Sequence, residues 1–114
     1  KIKSFKDEKD QVLEINNIVS KLVEKEKVNI NSVTILTTKS TKKSILWSNR
    51  YKLNFNISTK RGEKDKIFFS SIKRFKGLDS DIVILMDVND SISELDLYTG
   101  TSRAKHKLFI LKTL

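Results

Sequence analysis

The chain holds no cysteine, which excludes a disulfide framework and any thiolate metal site, and makes a reducing compartment, the cytoplasm, the natural expectation. His106 is its only histidine, so neither a histidine-built metal cluster nor a nucleophile triad can be assembled, and the residue is read as a surface histidine at a helix end. Glycine occurs only at Gly62, Gly77 and Gly100, too far apart for the G-x-x-x-x-G-K-[ST] loop that cradles phosphates. No apolar run approaches a membrane span, and no signal-like segment opens the chain. Met86 is the sole methionine. Lys1 is therefore not an initiator position, and a piece of a longer protein is expected.

What is present fits one domain with one core: 114 residues and a formal charge of +9. A basic balance favours polyanion partners, but by itself it supports only nonspecific attraction. Lys, Ile and Asn are abundant while Ala104 is the only alanine, the bias an AT-rich coding sequence produces at exposed positions. Lysines outside the loops discussed below are therefore read as solvated.

The organising stretch runs from Ile67 to Val88. Ile82-Val83-Ile84-Leu85-Met86, apolar at every position, predicts a strand covered on both faces, as in a parallel sheet flanked by helices. The run Ile67-Phe68-Phe69 predicts a second strand before it. Between them lies the charged loop from Ile72 to Ser80, with Gly77 inside it. Ligands of open parallel sheets bind outside the carboxyl ends of strands, so this loop is expected at the working edge.

Around that unit, Ile2 and Phe5 predict a short opening edge strand. Apolar residues at Val12, Ile15, Val19, Leu22 and Val23, widened by Leu13 and Ile18, predict an amphipathic helix from Asp7 to about Lys27. Val33 to Thr37 reads as a strand. The turn from Thr38 to Thr41 leads into a short helical stretch, Lys42 to Ser48, as a phosphate-contacting corner or, the favoured reading, one capped by Ser40 or Thr41. Trp47 on that stretch is read as a core anchor rather than a base-stacking platform. Leu53, Phe55 and Ile57 alternate as an edge strand, and Ser58 to Lys66 is a loop of mixed charge with Gly62 at its turn. A helix over Glu94 to His106 and a buried strand at Leu108 to Leu111 complete an α/β chain with a mostly parallel sheet.

Among the acids, Asp79, Asp81 and Asp87 invite a metal-nuclease reading. Asp81 and Asp87 stand at opposite ends of one strand, roughly 20 Å apart at about 3.3 Å per residue, so they share no metal. The residues suited to phosphate and nucleotide are Lys76 and Gly77, Asp79 beside them as an acceptor for a ribose hydroxyl, and Arg103, whose planar guanidinium fits a phosphate bidentately. The competing reading pairs Arg103 with a structural carboxylate.

Two segments bear on the choice. Ser71-Ile72-Lys73-Arg74-Phe75-Lys76-Gly77-Leu78-Asp79 and Leu97-Tyr98-Thr99-Gly100-Thr101-Ser102-Arg103-Ala104-Lys105-His106-Lys107-Leu108 occur in the order of the last two motifs of superfamily-one DNA helicases of the UvrD-like type. Those motifs usually read T-x-H-x-x-K-G-L-E and L-Y-V-A-[LV]-[ST]-R-A-x-x-x-L. The chain resembles that family over roughly its second half. Lys73 stands where the motif has histidine and Asp79 where it has glutamate, while Thr38 and Lys39 occupy a turn at which the family carries an arginine.

The resemblance implies a single RecA-like domain over residues 1–114, the second motor domain of an ATP-dependent helicase or translocase, inactive alone. Its partners would be single-stranded DNA and an N-terminal ATPase domain holding the phosphate loop and the magnesium-binding acids, with ATP and Mg2+ between the two domains. By position Arg103 matches the arginine finger, while Asp79, with Lys76 and Gly77, matches the ribose-holding turn. Ser71, Lys73 and Thr38 match contacts to the single-strand backbone. A noncatalytic RecA-like module that binds nucleic acid or a partner protein is the alternative, and a phosphate loop upstream of Lys1 would separate the two. A stand-alone regulator of flavodoxin-like layout leaves Lys76 and Arg103 unexplained.

Overall fold

The computed structural model describes residues 2–114. Six strands form one sheet in which every pairing is parallel: β1 (Ile2–Phe5), β2 (Val33–Thr37), β3 (Asn56–Ser58), β4 (Lys66–Ser71), β5 (Ser80–Val88) and β6 (Ala104–Thr113), in the spatial order β1-β6-β5-β2-β4-β3. Three helices accompany them, α1 (Asp10–Ser20), α2 (Ile45–Ser48) and α3 (Glu94–Thr101). This is the α/β, RecA-like layout the sequence predicts.

The alternation along β5 divides the core in two. Ile82, Ile84 and Met86 face α1 and α2, where they meet Val12, Ile15, Val19, Leu22 and Leu46. Val83 and Leu85 face the other way, against Ile72 and Phe75 of the turn after β4 and against the partly buried Leu97 of α3. Every residue from Ile82 to Val88 is buried, as an unbroken apolar run between two covering layers requires. Gly100 lets α3 approach closely, since a Cβ there would lie 3.1 Å from Ile72 Cδ1 and 3.2 Å from Leu85 Cδ2.

Several boundaries differ from the sequence expectation. The first helix changes to a π-helical turn over Lys21–Lys25 and ends by Lys27, which takes φ +57°. Leu13, expected to widen its stripe, is 64% exposed, whereas Ile18 is buried. The Lys42 to Ser48 stretch divides into a 3-10 turn at Thr41–Lys43 and α2, and the cap is Ser44, whose Oγ accepts from Leu46 N at 3.3 Å. Trp47 packs against the core with Arg50 4.1 Å over its ring, an anchor with its outer face covered. The strand at Leu53 to Ile57 shrinks to β3, because Leu53 and Phe55 enter the core from a loop.

The largest difference lies at the last helix. It stops at Thr101, and residues 104–107 are already strand, with Ser80 opposite Ala104 and Ile82 opposite Lys107. Pairing with β5 overrides the polar sequence Ala104-Lys105-His106-Lys107, which offers no apolar alternation to read. His106 therefore stands on β6, exposed, with Nε2 3.8 Å from Asp81 Oδ1. Leu108, Phe109 and Ile110 are only partly buried, since β6 has just the short β1 beyond it.

Candidate functional site

The sheet register sets the geometry. β5 begins at Ser80 and β6 at Ala104, these two residues are opposite each other, and Ser80 N donates to Arg103 O at 2.9 Å. Asp79 and Arg103, each one residue earlier, are therefore neighbours at the amino edge of the sheet. The carboxyl-edge expectation fails for them. The loop does leave β4 at the carboxyl edge, where Ile72 N donates to Thr37 O at 3.0 Å, but residues 72–79 cross to the opposite edge. A single helical turn carries the crossing: Phe75 N donates to Ser71 O at 3.2 Å and Leu78 N to Phe75 O at 3.0 Å. Ile72 and Phe75 bury themselves in the core beneath it. Gly77 has φ +81°, a conformation costly for a residue with a Cβ, and it turns the chain toward Asp79.

At this edge Arg103 is half-buried. Its Nη1 reaches Leu78 O over a long 3.5 Å, and its Nε is buried with no hydrogen-bond partner. No ion pair among the described residues involves Arg103, so the carboxylate pairing that competed with a phosphate role is not seen. The Asp79 carboxylate lies 3.4 Å from Lys105 Nζ, with both side chains more than half exposed. Lys76 and Gly77 are exposed on the turn leading into it. A polar cavity of about 340 Å³ adjoins Asp79, lined also by Thr34, Arg61, Lys66, Ser80, Asp81 and Lys105.

Ser71, Lys73 and Thr38 occupy the other edge. Ser71 Oγ accepts from Arg74 N at 3.3 Å and so closes the helical turn, while Lys73 is exposed beside it. Thr38 Oγ1 donates to Asp87 O at 2.6 Å. The candidate residues thus form two groups at opposite edges, joined through residues 71–79.

Two features escaped the sequence reading. At the carboxyl edge, Asp87 is buried with φ +60°, its carboxyl accepting from Thr37 Oγ1 at 2.6 Å, Ser44 Oγ at 2.7 Å and Gln11 Nε2 at 3.1 Å. Its own N–H donates to Gln11 Oε1 at 2.8 Å, so one residue ties α1, β2 and α2 to the end of β5. At the amino edge, Arg61 donates from Nη2 to Asp79 O at 3.0 Å, and its guanidinium lies 5.4 Å from the Phe75 ring centre. Composition made Ser58 to Lys66 a loop of mixed charge. Spacing was the missed signal: Glu63 and Lys66 pair with each other at 2.9 Å, and Arg61 enters no ion pair among the described residues. That contact, with a hydrogen bond from Ser58, holds the Glu63 carboxyl below the usual glutamate range.

No group of three or more His, Asp or Glu side chains placed to hold a metal ion occurs among the described residues. None of the described helices is long and apolar enough to cross a membrane. In comparison with known sequences, the family model of the UvrD-like helicase C-terminal domain matches residues 66–111, a stretch that opens with β4 and contains Asp79, Asp87 and Arg103. No curated protein matches the chain.

Proposed function

We propose, from the premise that residues 66–111 belong to the UvrD-like helicase C-terminal domain family, that this chain is the second motor domain of an ATP-dependent DNA helicase or translocase. It works against a first domain that holds the phosphate loop and the magnesium-binding acids. The observation that carries this reading is the arrangement of the amino edge, where Arg103 stands beside Asp79 with a buried, unpartnered Nε and in no ion pair among the described residues, the Asp79 carboxylate being turned to Lys105. A permanently charged fork that is in no ion pair suits a ligand bearing several negative oxygens.

ATP would lie between the two domains, its Mg2+ would be held by the acids of the first domain, and the bound nucleotide would supply the phosphoryl group that water attacks. Arg103 places its charge against the γ-phosphate as negative charge builds there, a contribution of about 10³ to 10⁵ in rate in comparable phosphoryl-transfer systems. Gly77 sets the turn that presents Asp79 to a ribose hydroxyl, and Lys76 lies on the same turn. At the carboxyl edge Ser71, Lys73 and Thr38 contact the backbone of single-stranded DNA. Residues 71–79 belong to both edges, so closing the amino edge on nucleotide pulls on the segment that holds the strand.

The test is Arg103→Ala in the full-length protein with single-stranded DNA present. DNA-stimulated ATP hydrolysis should fall at least about 10³-fold with unfolding temperature unchanged. Turnover equal to wild type would refute the finger assignment.

A further inference from the structure

Arg61 reaches the same corner from a different part of the chain. Lys60-Arg61-Gly62 forms the turn between β3 and β4, with Gly62 at φ +83° and Asp65 at φ +59°, so the loop has a defined shape. The turn is tied at its base, where Glu63 pairs with Lys66 and Asn31 Nδ2 donates to Glu63 O at 3.0 Å. From it Arg61 Nη2 reaches Asp79 O, while Arg103 Nη1 reaches Leu78 O. Two arginines thus approach consecutive carbonyls of one chain, whose Cα atoms are about 3.8 Å apart. Neither takes part in any ion pair among the described residues, and of the two carboxylates that line the adjoining cavity with Arg61, Asp79 is turned to Lys105 and Asp81 to His106. Two guanidinium groups beside consecutive carbonyls, neither in an ion pair, suit a ligand that bears several negative oxygens.

We propose that Arg61 is a second phosphate-binding arginine of this edge, gripping the phosphate chain of a nucleoside triphosphate alongside Arg103. The proposal rests on the nucleotide-cleft reading above and adds to it a residue outside both motif segments. A guanidinium has five N–H donors, and Arg61 spends one on Asp79 O, leaving the others free to bind oxygen anions. Packing over the Phe75 ring orients its plane, and Phe75 itself is fully buried, so the fork is presented from a fixed base. The division of labour follows from position. Arg103, half-buried at the start of β6, is the charge felt in the reaction, whereas the exposed Arg61 contributes to holding the nucleotide before and after it.

The competing role is purely mechanical, a brace for the turn at Asp79, and three substitutions separate the two. Arg61→Gln keeps a neutral donor for the carbonyl and removes the charge, Arg61→Lys keeps the charge and removes the fork, and Arg61→Ala removes both. Binding of a non-hydrolysable ATP analogue, KM and kcat for DNA-stimulated hydrolysis, and unfolding temperature are measured in the full-length protein, with Arg103→Ala alongside. The expected result is analogue binding and KM weakened about tenfold or more in Arg61→Ala and Arg61→Gln, partial recovery in Arg61→Lys, and unfolding temperature unchanged. Kcat should change less than in Arg103→Ala. Wild-type binding by Arg61→Gln would overturn the proposal, as would wild-type binding by Arg61→Ala, while a collapse of kcat in Arg103→Ala would leave the motor reading standing. Wild-type turnover in Arg103→Ala, or no analogue bound by the unmutated protein, would sink both.

Discussion

Asp87→Ala tests the polar knot that holds the carboxyl edge together. The substitution removes an acceptor from Thr37 Oγ1, Ser44 Oγ and Gln11 Nε2, in residues that are 0%, 1% and 0% exposed, so water cannot replace it. Gln11 keeps part of its bonding through Glu8 O at 3.2 Å, which leaves the two hydroxyls as the main loss. An unsatisfied buried donor costs about 1–3 kcal/mol, and alanine tolerates the left-handed conformation at position 87 less well than aspartate. The expected destabilisation is about 3–5 kcal/mol, a large part of the roughly 5–15 kcal/mol that holds a domain folded. At about 4 °C per kcal/mol for a chain of this size, melting should fall by roughly 12–20 °C. Asp87→Asn keeps one carbonyl acceptor and tolerates the backbone, while its amide N–H groups find acceptors if the hydroxyls rotate, so its cost should be about 1–2 kcal/mol. Urea and thermal unfolding followed by circular dichroism measure both. Asp87→Ala within about 0.5 kcal/mol of wild type would show that the knot carries no stability.

Two further outcomes follow from the packing and the charges. In a carbon-detected NMR titration Glu63 should titrate below the ordinary glutamate value of about 4.3, and Lys66→Ala should return it toward that value. Because the folded pKa is the lower one, the stabilisation from this pairing is present above the unfolded pKa and lost as pH falls through the folded one. An unshifted midpoint would refute the pairing. Gly100→Val should cost about 1–3 kcal/mol by overpacking against Ile72 and Leu85. Adding Ile72→Val, which deletes the Cδ1 atom in closest contact, should make the double variant more stable than the two single costs predict, and strict additivity would contradict the contact.

The sheet was legible where pattern and burial agree. β2 and the apolar centre of β5 carry dense branched residues between two covering layers, so composition alone places them. β6 was legible only over its apolar half, because residues 104–107 are held as strand by hydrogen bonds to β5 and carry no periodic signal. The same cause hid the edge assignment. Motif order brought Asp79 and Arg103 together, but only the register of Ser80 against Ala104 places them at the amino edge. Asp87 looked like a strand terminator, and its four partners come from three separate elements that no local window contains. Arg61 was hidden by averaging, since a loop's net charge says nothing about which of its charges are already paired.

In the proposed role Arg103 meets charge that develops during phosphoryl transfer, rather than merely sitting near a nucleotide. The most direct measurement compares the affinity of the full-length protein for ADP with aluminium fluoride, a transition-state mimic, and for a ground-state ATP analogue. The unmutated protein should prefer the mimic by about 10² or more, and Arg103→Ala should lose most of that preference while binding the ground-state analogue with a smaller change. An undiminished preference in Arg103→Ala would contradict the account.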